Sequence, residues 1–125
     1  MQLLPSTAAD PNVGIPGIEE LEDNIHAGVK YLRFLRDRYF ADPEIDDLNA
    51  MLLSLAAYNG GPNRITRLQR EAADLGLDPN VWFRNVENVV ARRLGHETVQ
   101  YVSNIYKYYI AYRLIADTIA LRGQA

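Results

Sequence analysis

The sequence predicts an all-α fold, and three observations support this prediction. Apolar residues recur at three- and four-residue steps through most of the chain, which is the spacing of one helix face. Glycine and proline stand between these periodic segments, where they end one helix and begin the next. No segment alternates apolar and polar residues over the length of a strand. The 125 residues are therefore predicted to form a single domain of helices joined by short turns.

The N-terminal third is predicted to contain a short turn of helix and then a long helix. The short turn covers Ser6 to Ala9 and ends at Asp10-Pro11. Residues 12–18 contain two glycines and a proline and are predicted to form a loop. The long helix covers residues 21–40, and its apolar stripe consists of Leu21, Ile25, Val29, Leu32, Leu35 and Tyr39.

The middle of the chain predicts a buried helix followed closely by another. Residues 46–58 include AMLLSLAA, which is apolar on nearly all sides and is typical of a central helix. Gly60 is predicted to be the left-handed residue that closes this helix. The next helix is predicted over residues 63–75, and Pro62 suits its first position. Proline lacks a backbone N–H, and an N–H at that position would have no partner within the helix.

The C-terminal half predicts one or two short helices and then a long one. The short helices lie within residues 78–95 and end at Gly95. The long helix runs from Glu97 to Arg122, and its predicted apolar stripe consists of Val102, Ile105, Tyr109, Tyr112, Ala116 and Ile119.

Composition excludes several classes of function. A net charge of −3 gives no general attraction to nucleic acid, and the absence of cysteine excludes disulfides and thiol chemistry. His26 and His96 lie in unrelated segments without metal-ligand spacing, so no metal and no cofactor is predicted. No apolar run is long enough to span a bilayer, and the N-terminus lacks the features of a signal peptide. Any export signal is therefore expected outside this chain.

Tyrosine is concentrated in the last helix, which holds five of the eight tyrosines between Tyr101 and Tyr112. Buried tyrosines usually pack in a core with the hydroxyl bonded to a partner. This is the interpretation we favour for Tyr106, Tyr109 and Tyr112. The alternative is a row of rings along the floor of a groove, where their faces pack on sugar C–H groups.

Tyr58 and Asn59 stand at the end of the apolar segment, directly before a glycine turn. A side chain at this position is held rigidly by the buried helix and still faces outward. An aromatic ring next to an amide with donors and an acceptor suits a carbohydrate. The residues alone leave two interpretations open, a saccharide site and simple termination of a helix.

Four ordered motifs resemble the lytic transglycosylases that carry an SLT domain, a branch of the lysozyme-like fold. AYNGG resembles the family motif Ala-Tyr-Asn-x-Gly, and MQLLPSTA resembles the end of Gly-Leu-Met-Gln-Leu-Met-Pro-x-Thr-Ala. NIHAGVKYLRFL and GHETVQYVSNIYKYY resemble the Asn-Ile-x-x-Gly-x-x-Tyr-Leu and Glu-Thr-x-x-Tyr-Val motifs. The later motifs are most similar to the membrane-bound F-type enzymes.

The resemblance implies a fold, a reaction and a set of site residues. Family members cut the β-1,4 bond between N-acetylmuramic acid and N-acetylglucosamine, and the sugar's own 6-hydroxyl closes an anhydro ring. By the family motifs, Tyr58 bonds to the catalytic glutamate. Four further residues border the sugar cleft, namely Met1, Gln2, Asn59 and Tyr101.

The resemblance also implies that the catalytic glutamate precedes Met1, since in the family it lies in a Glu-Ser pair some twenty residues upstream. The chain is therefore expected to be the C-terminal two thirds of one partial SLT domain, without the helix that carries the acid. No catalytic residue is expected within residues 1–125, and the chain alone is expected to release no anhydromuropeptides.

Partners and location follow from the same resemblance. The implied partner is the peptidoglycan glycan strand, and the implied location is the periplasm or cell envelope. A non-catalytic helical module that binds glycan or a protein partner is the alternative. Removal of the acid-bearing helix is also expected to bare apolar surface on the central helix. That surface predicts a homodimer, or else a rearrangement in which residues 1–20 cover the gap.

Overall fold

A computed structural model describes residues 17–124 of the chain, with side chains described from residue 20 to residue 123. Within that range there is no β-strand, which confirms the all-α prediction. The short helix predicted at Ser6–Ala9 lies outside the described residues. The five α-helices of the described range are α1 (Gly17–Tyr39), α2 (Asp47–Gly60), α3 (Pro62–Asp74), α4 (Glu87–Leu94) and α5 (His96–Gln124).

Two polar side chains fix the beginning of α2. The Asp46 carboxylate accepts a hydrogen bond from the Asn49 backbone N–H at 2.8 Å and so caps the helix. The Asn49 side-chain oxygen accepts a second hydrogen bond, from the Trp82 backbone N–H at 2.9 Å. Asn49 is almost completely buried. It therefore ties the start of α2 to a segment 33 residues further along the chain.

The end of α2 differs from the prediction. Gly60 is helical, whereas Gly61 has the positive φ of 93° and donates its N–H to the Ala57 carbonyl at 2.8 Å. The prediction that Gly60 is the left-handed residue is wrong. A Cβ on Gly60 would lie 3.4 Å from both Leu94 and Thr98, so this glycine allows α2 to pass close to the neighbouring helices.

The remaining helix boundaries follow the proline and glycine signals. Pro62 is the first residue of α3, as predicted. Gly76, with φ 83°, and Gly95, with φ 91°, follow the ends of α3 and α4 in the region that favours glycine. Between α3 and α4 the chain forms an irregular turn over Trp82–Val86, where Arg84 has φ 63°. Residues 78–95 therefore contain one short α-helix preceded by an irregular turn.

The central position predicted for α2 is confirmed. Residues 52–57 are at most 4% exposed. The expectation of bare apolar surface is therefore wrong for residues 52–57. The alternative expectation, that residues 1–20 cover the gap, falls largely outside the described residues. The other large side chains of this core, all at most 1% exposed, are Leu35, Phe40, Ile65, Trp82, Val86, Val90 and Val102.

The first half of α1 exposes part of its predicted stripe. Leu21, Ile25 and Val29 are between 37% and 44% exposed, whereas Leu35 is completely buried. Burial of the stripe therefore increases toward the end of the helix. A groove of about 190 Å³ runs between α1 and α2, and its apolar lining consists of Val29, Leu32, Met51 and Leu55.

The second half of α5 is also exposed. Val102 is completely buried, but Tyr112, Ile115 and Ile119 are between 60% and 71% exposed. The predicted core position is supported for Tyr106, which is half-buried and packs edge-on against another aromatic ring. It is wrong for Tyr112. Tyr109 is 38% exposed, and its hydroxyl accepts a hydrogen bond from an arginine one turn along the helix.

Candidate functional site

Three helices bring one tyrosine ring each to the end of α2. The ring of Tyr58 is parallel to the ring of Tyr101 from α5, with 3° between the planes and 6.4 Å between the centroids. Tyr31 from α1 meets Tyr58 edge-on, at 5.6 Å and 68°. Offset stacks and edge-to-face pairs are the arrangements that aromatic side chains prefer. We call these three residues the tyrosine cluster.

The tyrosine cluster is rigidly supported and still partly open to solvent. Tyr58 follows directly on Ala57, which is 1% exposed, so its backbone is held by the most buried part of the fold. Tyr58 and Tyr101 are half-buried, and Tyr31 is 44% exposed. Aromatic faces held in this way suit a ligand that has an apolar face and a polar rim, such as a sugar ring.

The Tyr101 hydroxyl is buried and has no hydrogen-bond partner among the residues that the structure describes. Burial raises the pKa of Tyr101 above its ordinary value of 10.0, and the nearby Tyr58 raises it further. The phenol is therefore protonated at neutral pH and is available as a donor. Because a buried hydroxyl normally finds a partner, this group marks a position where a further acceptor fits.

Asn59 is oriented by a neighbour from α5. The Thr98 hydroxyl donates to the Asn59 side-chain oxygen at 2.8 Å, and Thr98 is only 6% exposed. With its oxygen bonded, the Asn59 amide keeps its NH₂ group for a ligand. Thr98 and Tyr101 are three residues apart and share one face of α5, so one helix face supports both Asn59 and Tyr58.

The structure thus brings together three of the five residues predicted for the site, namely Tyr58, Asn59 and Tyr101. Met1 and Gln2 lie outside the described residues. Sequence reasoning missed Tyr31 and Thr98, although both were inside the quoted motifs. Tyr31 is the tyrosine of NIHAGVKYLRFL, and Thr98 is the threonine of GHETVQYV. Their position inside those motifs was the available signal.

Among residues 17–124, no three His, Cys, Asp or Glu side chains come together as a metal site would require. None of the described helices combines the length and apolar character that a membrane span needs.

Comparison with known proteins identifies the class. The family model "Transglycosylase SLT domain" matches residues 1–80, which is more than half of the chain. The chain therefore belongs to the transglycosylase SLT domain family, and the expected lysozyme-like helical fold is the fold of this family. No solved structure gives a significant match.

Individual relatives agree with this family. The chain is 34% identical over 122 residues to membrane-bound lytic murein transglycosylase F of Desulfosudis oleivorans, covering 87% of this chain and 26% of that protein. The protein of the same name from Shewanella woodyi is 31% identical over 110 residues, covering 78% of this chain and 22% of the relative. The chain thus spans about a quarter of the length of these curated relatives.

Proposed function

We propose that this chain contributes the tyrosine-lined part of a peptidoglycan lytic transglycosylase site. The proposed reaction cleaves the β-1,4 bond between N-acetylmuramic acid and N-acetylglucosamine and leaves a 1,6-anhydromuramic acid end. The observation that carries the proposal is the parallel pair of Tyr58 and Tyr101, together with the buried Tyr101 hydroxyl, which has no partner among the described residues.

The reaction needs a carboxylic acid that first protonates the leaving oxygen and then takes a proton from the 6-hydroxyl. Such an acid is protonated near neutral pH only when its surroundings raise its pKa. Tyr58 and Tyr101 are proposed to supply those surroundings, because their half-buried rings reduce the contact of the acid with water. A hydrogen bond donated by a phenol has the opposite effect and is proposed to stabilise the carboxylate that remains after the first proton transfer. None of the described residues places a carboxylate in hydrogen-bond contact with the Tyr101 hydroxyl. We therefore propose that the acid comes from outside residues 17–124.

Binding of the sugar is proposed to use the ring faces and the Asn59 amide. The exposed faces pack on sugar C–H groups, and the amide NH₂ donates to a sugar hydroxyl or N-acetyl oxygen. Met1 and Gln2 are proposed to border the same cleft, as the family motifs imply. The resulting affinity of the chain for a short oligosaccharide is expected to be weak, with a Kd on the order of millimolar.

An NMR titration of the ¹⁵N-labelled chain with chitotetraose tests this proposal. The first resonances to shift are expected to be those of Tyr58, Asn59 and Tyr101. Tyr101→Phe keeps the ring and removes the hydroxyl, so it is expected to weaken binding. Tyr108→Phe is the matched control, because Tyr108 is 74% exposed on the same helix. Shifts confined to residues away from the tyrosine cluster would overturn the proposal.

The alternative function is a non-catalytic module that binds glycan strands or a protein. Product analysis separates the two functions. A transglycosylase releases 1,6-anhydromuropeptides from purified murein when the segment that carries its catalytic acid is present. A binding module retains the glycan strands unchanged. Mass spectrometry of the soluble products distinguishes these outcomes. Turnover by residues 1–125 alone, free of host enzymes, that is lost in Glu22→Gln or Glu97→Gln would contradict the proposal that the acid lies outside residues 17–124.

The proposed location is the cell envelope, on the periplasmic side. The relatives are named as membrane-bound lytic murein transglycosylases, which supports an envelope location. Fractionation of cells that produce the native protein tests this location. Recovery in the cytoplasmic fraction would contradict it.

We also propose that two copies of the chain associate, through α5 rather than α2. Exposed apolar residues on α5 follow one another at steps of four, three and four, which is the spacing of a coiled-coil seam. The positions that flank this row on both sides are uncharged, namely Tyr109, Ala111, Ala116 and Thr118, and the row itself ends before a charged residue, Arg122. The seam residues are Tyr108, Tyr112, Ile115 and Ile119.

A further inference from the structure

A second groove lies between α3 and α4, and arginine dominates its lining. It has a volume of about 320 Å³. Its polar lining is Arg64, Arg67 and Glu71 from α3 together with Arg93 from α4, and its apolar lining is Leu68 and Leu94. Three guanidinium groups thus face one carboxylate, in a chain whose net charge is −3. We call this feature the arginine groove.

One of these arginines is already paired. Arg93 binds Glu71 through both carboxylate oxygens, with its Nε 2.9 Å from Oε1 and 3.1 Å from Oε2. This hydrogen bond holds the pKa of Glu71 below its ordinary range, so the carboxylate stays ionised. Among residues 20–123, Arg64 and Arg67 form no ion pair. Their guanidinium groups are three residues apart on one helix face and remain available for an anion.

The arginine groove adjoins the site at the end of α2. Leu94 lines the groove, and a Cβ on Gly60 would lie 3.4 Å from Leu94 and 3.4 Å from the Thr98 hydroxyl. Thr98 in turn bonds Asn59. The arginine groove therefore lies near Asn59, with the side chains of Leu94 and Thr98 between them.

We propose that Arg64 and Arg67 bind a carboxylate of the short acidic peptide that muramic acid carries. This inference rests on the proposed function, since that function places a peptide-bearing sugar in the neighbouring cleft. Guanidinium groups match the planar fork of a carboxylate and bind it through two parallel hydrogen bonds. The arginine groove would then distinguish glycan that carries the peptide from glycan without it, whereas the tyrosine cluster binds the sugar itself.

Two matched probes test the proposal with the full chain. One is a disaccharide peptide from murein, and the other is the same compound with its carboxyl groups amidated. The unmodified compound is expected to bind about fivefold more tightly, because exposed charge pairs contribute modestly. This preference is expected to disappear in the double variant Arg64→Gln/Arg67→Gln and to shrink in 0.5 M salt, where the Debye length is short. The Arg64 and Arg67 side-chain Nε–H resonances provide the direct readout.

Arg70→Gln is the matched control, because Arg70 is exposed on the same helix but does not line the groove. It is expected to keep the full preference. Equal affinity of the wild-type chain for the two probes would overturn the proposal, and so would a preference that survives the double variant. Displacement of the peptide by an equal concentration of inorganic phosphate would show a general anion site and would also overturn it.

Chitotetraose separates this proposal from the proposed function. It is neutral, so it reports on the tyrosine cluster alone and is expected to bind the double variant as it binds the wild type. If chitotetraose leaves the tyrosine cluster unperturbed while the acidic compound still shifts Arg64 and Arg67, the proposed saccharide site is wrong. If chitotetraose binds and the arginine resonances do not respond to the acidic compound, only the arginine groove proposal is wrong.

Discussion

Thr98 and Asn59 form a hydrogen bond between two helices, with the threonine hydroxyl donating to the amide oxygen at 2.8 Å. The two residues are 39 positions apart in the chain. The bond determines which end of the Asn59 amide is free, since the oxygen is bonded and the NH₂ group is left for a ligand. It also joins the end of α2 to the face of α5 that carries Tyr101.

Replacement of Thr98 by valine is expected to weaken both the fold and the site. Valine keeps the shape but removes the donor, so Asn59 loses its partner at a cost of about 1 kcal/mol in unfolding free energy. Chitotetraose binding should also weaken, because the amide is free to rotate. Thr98→Ser keeps the hydroxyl and serves as the control. Urea unfolding and NMR titration measure the two effects, and equal binding by the valine and serine variants would contradict this role.

Replacement of Gly61 by alanine is expected to destabilise the chain by about 1–3 kcal/mol, because φ is 93° and ψ is 133° at this position. No side chain crowds the site, so the cost is backbone strain alone. Gly123→Ala is the control, since that glycine lies in α5 without neighbours within 4 Å and has an ordinary φ. Alanine there is expected to be neutral or slightly stabilising. Thermal unfolding measures the midpoint temperature of each variant. Equal midpoints for Gly61→Ala and Gly123→Ala would contradict the proposed backbone strain at Gly61.

Tyr101 is expected to make the stability of the chain fall at high pH. Its pKa is raised in the folded state by burial and by Tyr58, so the folded chain holds the phenolic proton more tightly than the unfolded chain. Below pH 10 both states are protonated and the effect is absent. Above about pH 10 the unfolded state loses the proton first, and the unfolding free energy decreases.

The control for this pH dependence is Tyr101→Phe, which removes the titrating group and keeps the ring. Urea midpoints measured between pH 8 and pH 11 are expected to fall less steeply for the variant than for the wild type. Parallel curves for the two proteins would show that the phenol of Tyr101 is not responsible.

Self-association through α5 is expected to be sensitive to charge on the seam. Ile115→Glu places a charge in the middle of the apolar row and should give a monomer in sedimentation velocity at concentrations where the wild type dimerises. Leu121→Glu is the matched control, because Leu121 is 68% exposed on the same helix but lies outside the row and outside the groove that Ile115 and Ile119 line. A wild-type chain that is monomeric at hundreds of micromolar would rule out this association.

The sequence by itself determined the helices and the site motif. Helical spacing, Pro62 and Gly95 act within a few residues, so they indicate where helices begin and end without knowledge of the packing. The same holds for Tyr58 and Asn59, whose position before two glycines places them at a helix end. Even so, the positive φ belongs to Gly61 and not to Gly60, which is helical and is closely approached by Leu94 and Thr98.

Only the tertiary structure decided which parts of each apolar stripe are covered. Leu21 and Leu35 occupy the same predicted stripe of α1, yet one is 37% exposed and the other is completely buried. The stripe of α5 divides in the same way between Val102 and Ile119. Residue spacing defines a helix face, whereas burial depends on where a neighbouring helix crosses that face.

The parallel rings of Tyr58 and Tyr101 and the bond from Thr98 to Asn59 were likewise decided by packing. Each links residues about forty positions apart, and no local pattern encodes the distance or angle between two helices. The arginine groove has the same origin, since it exists only because α3 and α4 lie side by side and bring Glu71 to Arg93. The physical reason is that backbone hydrogen bonds and turn residues act locally. Side-chain contacts between helices form only when the whole apolar core is assembled.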